Sequence, residues 1–189
     1  MIDYKPNKRE NPVLMTKMPS AWGDIPTILK DIIERFNIKQ NKCLEFGVEF
    51  GYSTSALSNY FDIVIGVDTF EGDEHTINKT YHYDITKDNL KSFKNIKLIK
   101  STYQNFIIDK NNQNLYDLIH VDIVHNYEQT YECGEWSILH SKVTIFHDTE
   151  SFYSVKKVCQ DLSNKFDLDF FNYKDSHGLG ILINKKITN

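Results

Sequence analysis

CLEFGVEFGYSTS occupies residues 43–55 and VIGVDTFEGD residues 64–73. Each begins as a short apolar run of strand length and reaches an acid, Glu45 in the first and Asp68 in the second. Two glycines, Gly47 and Gly51, follow Glu45. Glycine permits the close backbone approach that a tight strand-to-helix turn requires. A carboxylate at the tip of the next strand is placed to accept ribose hydroxyls, because open parallel sheets bind ligands at strand C-termini, where strand order reverses. Together the two stretches point to an adenosine-type ligand.

The surrounding chain repeats the strand–helix rhythm. Strands are predicted at 42–46, 63–68, 96–100, 116–122 and 142–147, with helices near 53–60, 84–93, 127–137 and 152–166. A further helix is predicted at 25–36, where Ile25, Ile28, Leu29, Ile32, Ile33 and Phe36 share one face, with Asp24 as N-cap and Pro26 in the first turn. Such alternation implies a parallel sheet wrapped on both faces. The tail departs from it: LDFFNY (168–173) and LGILIN (179–184) are joined only by KDSHG, too short for a crossover helix, so they should pair antiparallel. Residues 1–21, punctuated by Pro6, Pro12 and Pro19, read as an irregular arm, and 22–189 as a single domain. SAWGD (20–24) is either part of a lid over the cofactor or a plain capping turn.

Composition narrows the class. The chain has 189 residues, 40% hydrophobic and 25% charged, which suits one packed domain. A net charge of −4 without any basic run argues against a protein built to grip nucleic acid. Cys43, Cys133 and Cys159 are far apart and form no CxxC pair, so neither a disulfide framework nor a zinc–thiolate site is expected. No apolar run approaches the roughly 20 residues of a membrane span. The expectation is a cytoplasmic protein with no membrane segment.

Two nucleotide cofactors compete for the glycine turn. NAD calls for GxGxxG, which brings a helix N-terminus to the pyrophosphate. Here the pattern is ExGxxxG. Glu45 ahead of the first glycine would repel pyrophosphate yet suits an ammonium or a sulfonium, and S-adenosylmethionine carries both. An NAD-dependent oxidoreductase and a non-catalytic cofactor-fold binding module stand as the other readings, beside one in which Glu45 and the glycines merely form a tight turn.

Four segments, LEFGVEFGYST, VIGVDTFEGD, YDLIHVDIVHNYEQ and VTIFHDT, taken in order, resemble the class I S-adenosylmethionine-dependent methyltransferases. The nearest branch is the small O-methyltransferases akin to the catechol and macrolide-sugar enzymes, and the resemblance spans about 22–184. It implies a three-layer α/β, Rossmann-like fold with a mostly parallel seven-stranded sheet and an antiparallel C-terminal strand. It also implies O-methylation of a small-molecule or sugar hydroxyl. Glu45 and Gly47 would face the methionine side, Gly51, Ser53 and Thr54 would shape the loop, and Asp68 would hold the ribose. Thr69, Phe70, Ser101 and Thr102 would flank the adenine. KSTYQNF, after the third strand, has no acid for the adenine amino group, so backbone and hydroxyl contacts are expected there.

The same resemblance places the chemistry at two strand ends, 120–127 and 146–150. Asp122, also on the cofactor edge, and Asp148 match two positions that bind Mg²⁺ in metal-dependent relatives, while the third position is Thr149, a poorer ligand. Asp122, His147 and Asp148, with His125 nearby, would equally suit Mn²⁺, Fe²⁺ or Zn²⁺. His125 or Asp122 would serve as general base. Competing readings make Asp122 a helix cap, His125 a surface residue and His147 a packed core histidine. Tyr81-His82-Tyr83, in the insert after the second strand, either faces substrate or forms a surface or dimer contact. The expected partner is a small-molecule acceptor, with a homodimer left open. A nucleic-acid acceptor is disfavoured by the absence of NPPY or DPPY.

Overall fold

The computed structural model describes residues 1–72 and 80–187, so Asp73, the last residue of VIGVDTFEGD, lies outside the described residues. Strands β1 (Ile2–Asp3), β2 (Lys42–Phe46), β3 (Ile63–Asp68), β4 (Ile96–Lys100), β5 (Tyr116–Val121), β6 (Ser141–His147), β7 (Asp169–Tyr173) and β8 (Leu179–Ile183) form one sheet in the order β1-β7-β8-β6-β5-β2-β3-β4. All neighbouring pairs are parallel except those of β8, which runs antiparallel to both β6 and β7. The predicted terminal hairpin is therefore present. Seven strands were expected; the described residues contain eight, because Ile2 and Asp3 add a short parallel edge strand to β7. Nor is the arm loose. Tyr4 is buried, its amide donates to the Asn172 carbonyl at 2.8 Å, and the Thr16 amide donates to Ser55 Oγ at 3.2 Å.

Helices α1 (Leu29–Arg35) and α2 (Tyr52–Leu57) belong to one face of the sheet, and α4 (Tyr103–Ile108), α5 (Tyr127–His140) and α6 (Tyr153–Phe166) to the other; α3 (Tyr83–Asn89) follows the insert after β3. The apolar stripe read in 25–36 is buried from Ile25 to Ile33, with Phe36 partly buried as the C-cap, but its first turn, Ile25–Ile28, is 3₁₀ with Pro26 inside it. Asp24 holds the N-cap position, but its side chain makes no capping hydrogen bond. Its carboxylate instead accepts from Tyr173 Oη at 2.6 Å, from Ser176 Oγ and from Arg9, lashing the arm to the β7–β8 turn. Helix α4 was not anticipated. Its signal was Thr102, whose hydroxyl accepts from the Asn105 amide at 3.1 Å as N-cap.

Strands β2, β5 and β6 lie mid-sheet and are covered on both faces, so they read as continuous apolar runs. Among their polar residues, Glu45, His120 and Thr144 lie inside these runs and are fully or almost fully buried. At β2 the chain order reverses: β3 and β4 extend one way, β5 and β6 the other. Among the described residues no helix is long and apolar enough to cross a membrane. The three cysteines are buried and free.

Candidate active site

A cleft of about 570 Å³ opens at the C-terminal ends of β2–β6, at this switch point. Gly47, Asp68, Ser101, Asp122 and Asp148, each at or just beyond a strand end, contribute to its wall. Its size falls among small-molecule sites, about 300–1,000 Å³. Ser20, Ala21 and Trp22 close one side, so the SAWGD segment does border the cleft.

Gly47 explains how two of these strands come together. Its φ is +90°, and a Cβ there would lie 1.6 Å from the Asp122 carbonyl oxygen. The Asp122 amide meanwhile donates to the Phe46 carbonyl at 2.9 Å. Thus the glycine lets the chain leaving β5 cross the tip of β2, which delivers the Asp122 side chain to the cleft. Gly51, with φ +88°, starts α2 and packs against Leu90 outside the cleft wall.

Asp68 braces the glycine loop. Its Oδ2 accepts from the amides of Val48 at 2.7 Å and Glu49 at 2.8 Å, and Oδ1 accepts from the Phe70 amide at 2.7 Å. Ser53, Thr69, Ser101 and Thr102 border the cleft as the resemblance implied. Glu45, Thr54 and Phe70 do not: they lie behind its wall, each fully buried. Glu45 accepts a hydrogen bond from Thr54 Oγ1 and pairs with His120 Nδ1 at 3.0 Å. A carboxylate in that position acts on a ligand only through the field and shape of the wall in front of it.

Residues that the sequence left unassigned also border the cleft, among them Tyr52, Tyr103, Gln104 and Gln129. Tyr103 and Gln104 belong to the unanticipated α4. Of the Tyr81-His82-Tyr83 trio only His82 reaches the cleft; Tyr81 is exposed beneath Lys100, and Tyr83 packs on Phe70.

At the opposite end two acids and two histidines converge. His125 Nε2 lies 2.8 Å from Asp148 Oδ2 and 3.6 Å from Asp122 Oδ1. His147 Nδ1 lies 3.2 Å from Asp122 Oδ2 and 3.5 Å from Asp148 Oδ2, while its Nε2 donates to the Ser176 carbonyl at 3.2 Å. The His125 ring stacks on Phe152 with centroids 4.1 Å apart and an interplanar angle of 4°. Helix α5 is capped by Asn126, whose side chain accepts from the Gln129 amide at 2.9 Å, so Asp122 is not spent as a cap. Asp148 holds φ at +67°, a left-handed conformation retained at the end of β6. Thr149 is turned into the core, donating to Asn172 Oδ1 at 2.7 Å, and offers the cleft no oxygen.

Mutual attraction sets the charges in this cluster. Burial alone would favour neutral His125, but hydrogen bonding and Coulomb attraction from Asp122 and Asp148 outweigh it and raise its pKa from 6.5 to about 9. His147 is raised for the same reason, against its own burial. Asp122 is driven well below the usual carboxylate range, its burial outweighed by His147 and His125. At neutral pH His125 therefore carries a proton it must lose before it can accept another. Asp122, His125 and Asp148 also place ligand atoms within 4.8 Å of one another. Two hard oxygens and one imidazole nitrogen form a donor set suited to a divalent cation, with Mn²⁺, Fe²⁺ or Zn²⁺ favoured over Mg²⁺ by the nitrogen.

No protein-family model matches the chain, and no curated protein matches it in sequence. Solved structures do match. A putative caffeoyl-CoA O-methyltransferase from Staphylococcus aureus aligns at TM-score 0.64 and 17% identity, over 90% of this chain and 86% of that one. A putative O-methyltransferase from Klebsiella pneumoniae aligns at TM-score 0.63 and 13% identity, over 89% and 83%. The SAH-bound methyltransferase PaMTH1 from Podospora anserina aligns at TM-score 0.61 and 15% identity, over 89% and 80%. At these identities the likeness is one of architecture: the chain has the mostly parallel, Rossmann-like fold of O-methyltransferases, closed by an antiparallel β8.

Proposed function

We propose that the protein is an S-adenosylmethionine-dependent methyltransferase acting on a hydroxyl of a small molecule or sugar. The observation that carries the reading is one cleft with two ends. Asp68 sits at the β3 side, the Asp122/His125/Asp148 cluster at the β5–β6 side, and the Gly47 loop lies between them at the switch point where this fold binds ligands. Structures of the same fold include the SAH-bound PaMTH1 and TomG of Streptomyces achromogenes in complex with SAM, which supports an adenosyl ligand here.

S-adenosylmethionine, when bound, supplies an electrophilic methyl group. The chain's own residues align and deprotonate the acceptor. Alignment accounts for much of the rate in such in-line displacements. Asp122 and Asp148 hold the His125 ring from one side and Phe152 fixes its plane. Once its proton has left, Nε2 is the acceptor for a hydroxyl proton. Trp22, almost fully buried and T-shaped to His120 at 4.8 Å between ring centroids, contributes a rigid apolar part of the cleft wall. A divalent cation would be held by Asp122, His125 and Asp148, replacing the His125 proton and lowering the pKa of a hydroxyl beside it.

Calorimetric titration with S-adenosylmethionine, S-adenosylhomocysteine and NAD, each with and without Mn²⁺, tests the assignment. Micromolar binding of the two adenosyl ligands and none of NAD is the expected result. Binding of NAD alone would replace the reading with an oxidoreductase, and binding of neither adenosyl ligand would remove it. Binding without methyl transfer across a panel of hydroxylated acceptors would leave a cofactor-binding module.

A further inference from the structure

His82 carries an acceptor with nothing to accept from. Its Nδ1 lies 2.9 Å from the Thr80 carbonyl, which can only accept, so Nδ1 bears the hydrogen. In the neutral ring Nε2 is then an acceptor, and it is shielded from solvent with no hydrogen-bond partner among the described residues. The residue is 3% exposed, yet it contributes to the cleft wall. The ring is packed between Phe50, at 4.8 Å, and Phe70, at 5.9 Å. Phe50 follows the two residues whose amides Asp68 binds, and Phe70 lies two residues beyond Asp68. His82 therefore stands at the Asp68 end of the cleft. Buried polar atoms are overwhelmingly satisfied in folded proteins, so an orphaned acceptor beside a ligand cleft calls for a donor from the ligand.

Counting acceptor positions says which donor. An ionised carboxylate offers about four lone-pair sites. Three on Asp68 are taken by the amides of Val48, Glu49 and Phe70. A ribose presents two hydroxyls, so while the loop amides stay bound Asp68 can serve only one of them. We propose that His82 Nε2 is the second ribose acceptor, taking the hydroxyl that Asp68 has no site left to hold. The assignment rests on the adenosyl reading above. It makes His82 a specificity determinant for an intact vicinal diol, contributed by the insert after β3 and not by a strand tip.

The test uses S-adenosylhomocysteine and its 2′-deoxy and 3′-deoxy analogues, titrated calorimetrically against the parent, His82→Asn and His82→Gln. Asparagine can keep the bond to Thr80 but lacks the Nε2 position; glutamine places an amide oxygen near it. One neutral hydrogen bond corresponds to roughly a 3- to 10-fold change in affinity. The parent should lose about that much on one of the two deoxy analogues beyond what Asp68 accounts for. His82→Asn should lose a similar factor with S-adenosylhomocysteine and then be indifferent to removal of that hydroxyl, whereas His82→Gln should regain the sensitivity. Parent binding equal for all three ligands, or losses in His82→Asn that add in full to those of both analogues, would overturn the proposal while leaving the adenosyl reading intact. Failure of the parent to bind S-adenosylhomocysteine at all would overturn both.

Discussion

Asp148→Asn should flatten the pH dependence of stability between about pH 6.5 and 9. The substitution removes the carboxylate 2.8 Å from His125 Nε2 and leaves Asp122 at 3.6 Å. The backbone should tolerate it, because asparagine accepts the left-handed φ of +67° as readily as aspartate. In the parent, His125 titrates at about 9 when folded, against an unfolded value of about 6.5. A group with a raised folded pKa stabilises fully below the unfolded value, and the contribution is lost as pH rises through the folded one. With about 1.4 kcal/mol per pKa unit, His125 contributes roughly 3 kcal/mol at pH 6 that has gone by about pH 10. Losing the nearer of two carboxylates should remove about half of this. Urea unfolding followed by tryptophan fluorescence, in EDTA at intervals from pH 6 to pH 10, measures both curves. The variant should be about 1–2 kcal/mol less stable at pH 6 and close to the parent at pH 10. His147, raised by Asp122 and Asp148, acts in the same direction and enlarges the effect. A gap that stays constant across the range would refute the pairing of His125 with Asp148.

Other outcomes follow from the same geometry. Mn²⁺ or Zn²⁺ added at pH 7 should release about one proton per ion as His125 gives up its own, and should stabilise by about 2.7 kcal/mol at a hundred times Kd; calorimetry in buffers of different ionisation heat reads the proton, and a result of zero in the parent would exclude His125 as a ligand. Gly47→Ala should destabilise by about 3 kcal/mol or more, since it adds a Cβ 1.6 Å from the Asp122 carbonyl at φ +90°; a melting temperature like the parent's would show that the strand tips do not cross as described. Glu45→Ala should cost about 3–5 kcal/mol by stripping His120 of its buried partner, with a smaller effect on S-adenosylhomocysteine affinity. Lost affinity at unchanged stability would instead put Glu45 in contact with the ligand.

Much of the architecture was legible in the residues. Strands 42–46, 63–68 and 96–100 fall where their apolar runs end, and the short KDSHG link correctly required an antiparallel hairpin. Asp122, His125, His147 and Asp148 stand on successive strand ends, so adjacency followed once β5 was taken to neighbour β6. What sequence could not supply was direction and occupancy. Glu45 reads as a cleft residue by position, yet strand alternation turns it into the core, where His120 of the adjacent strand claims it. Asp68 reads as a free ribose acceptor, yet the amides of Val48, Glu49 and Phe70, which the two loop turns aim at it, occupy it. The charge on His125 is likewise a tertiary property: an imidazole near neutrality by composition becomes a held cation only when two carboxylates from separate strand ends close on it. Local pattern determined which elements form and in what order. The packing of those elements decided which side chains face a ligand and which are already spent.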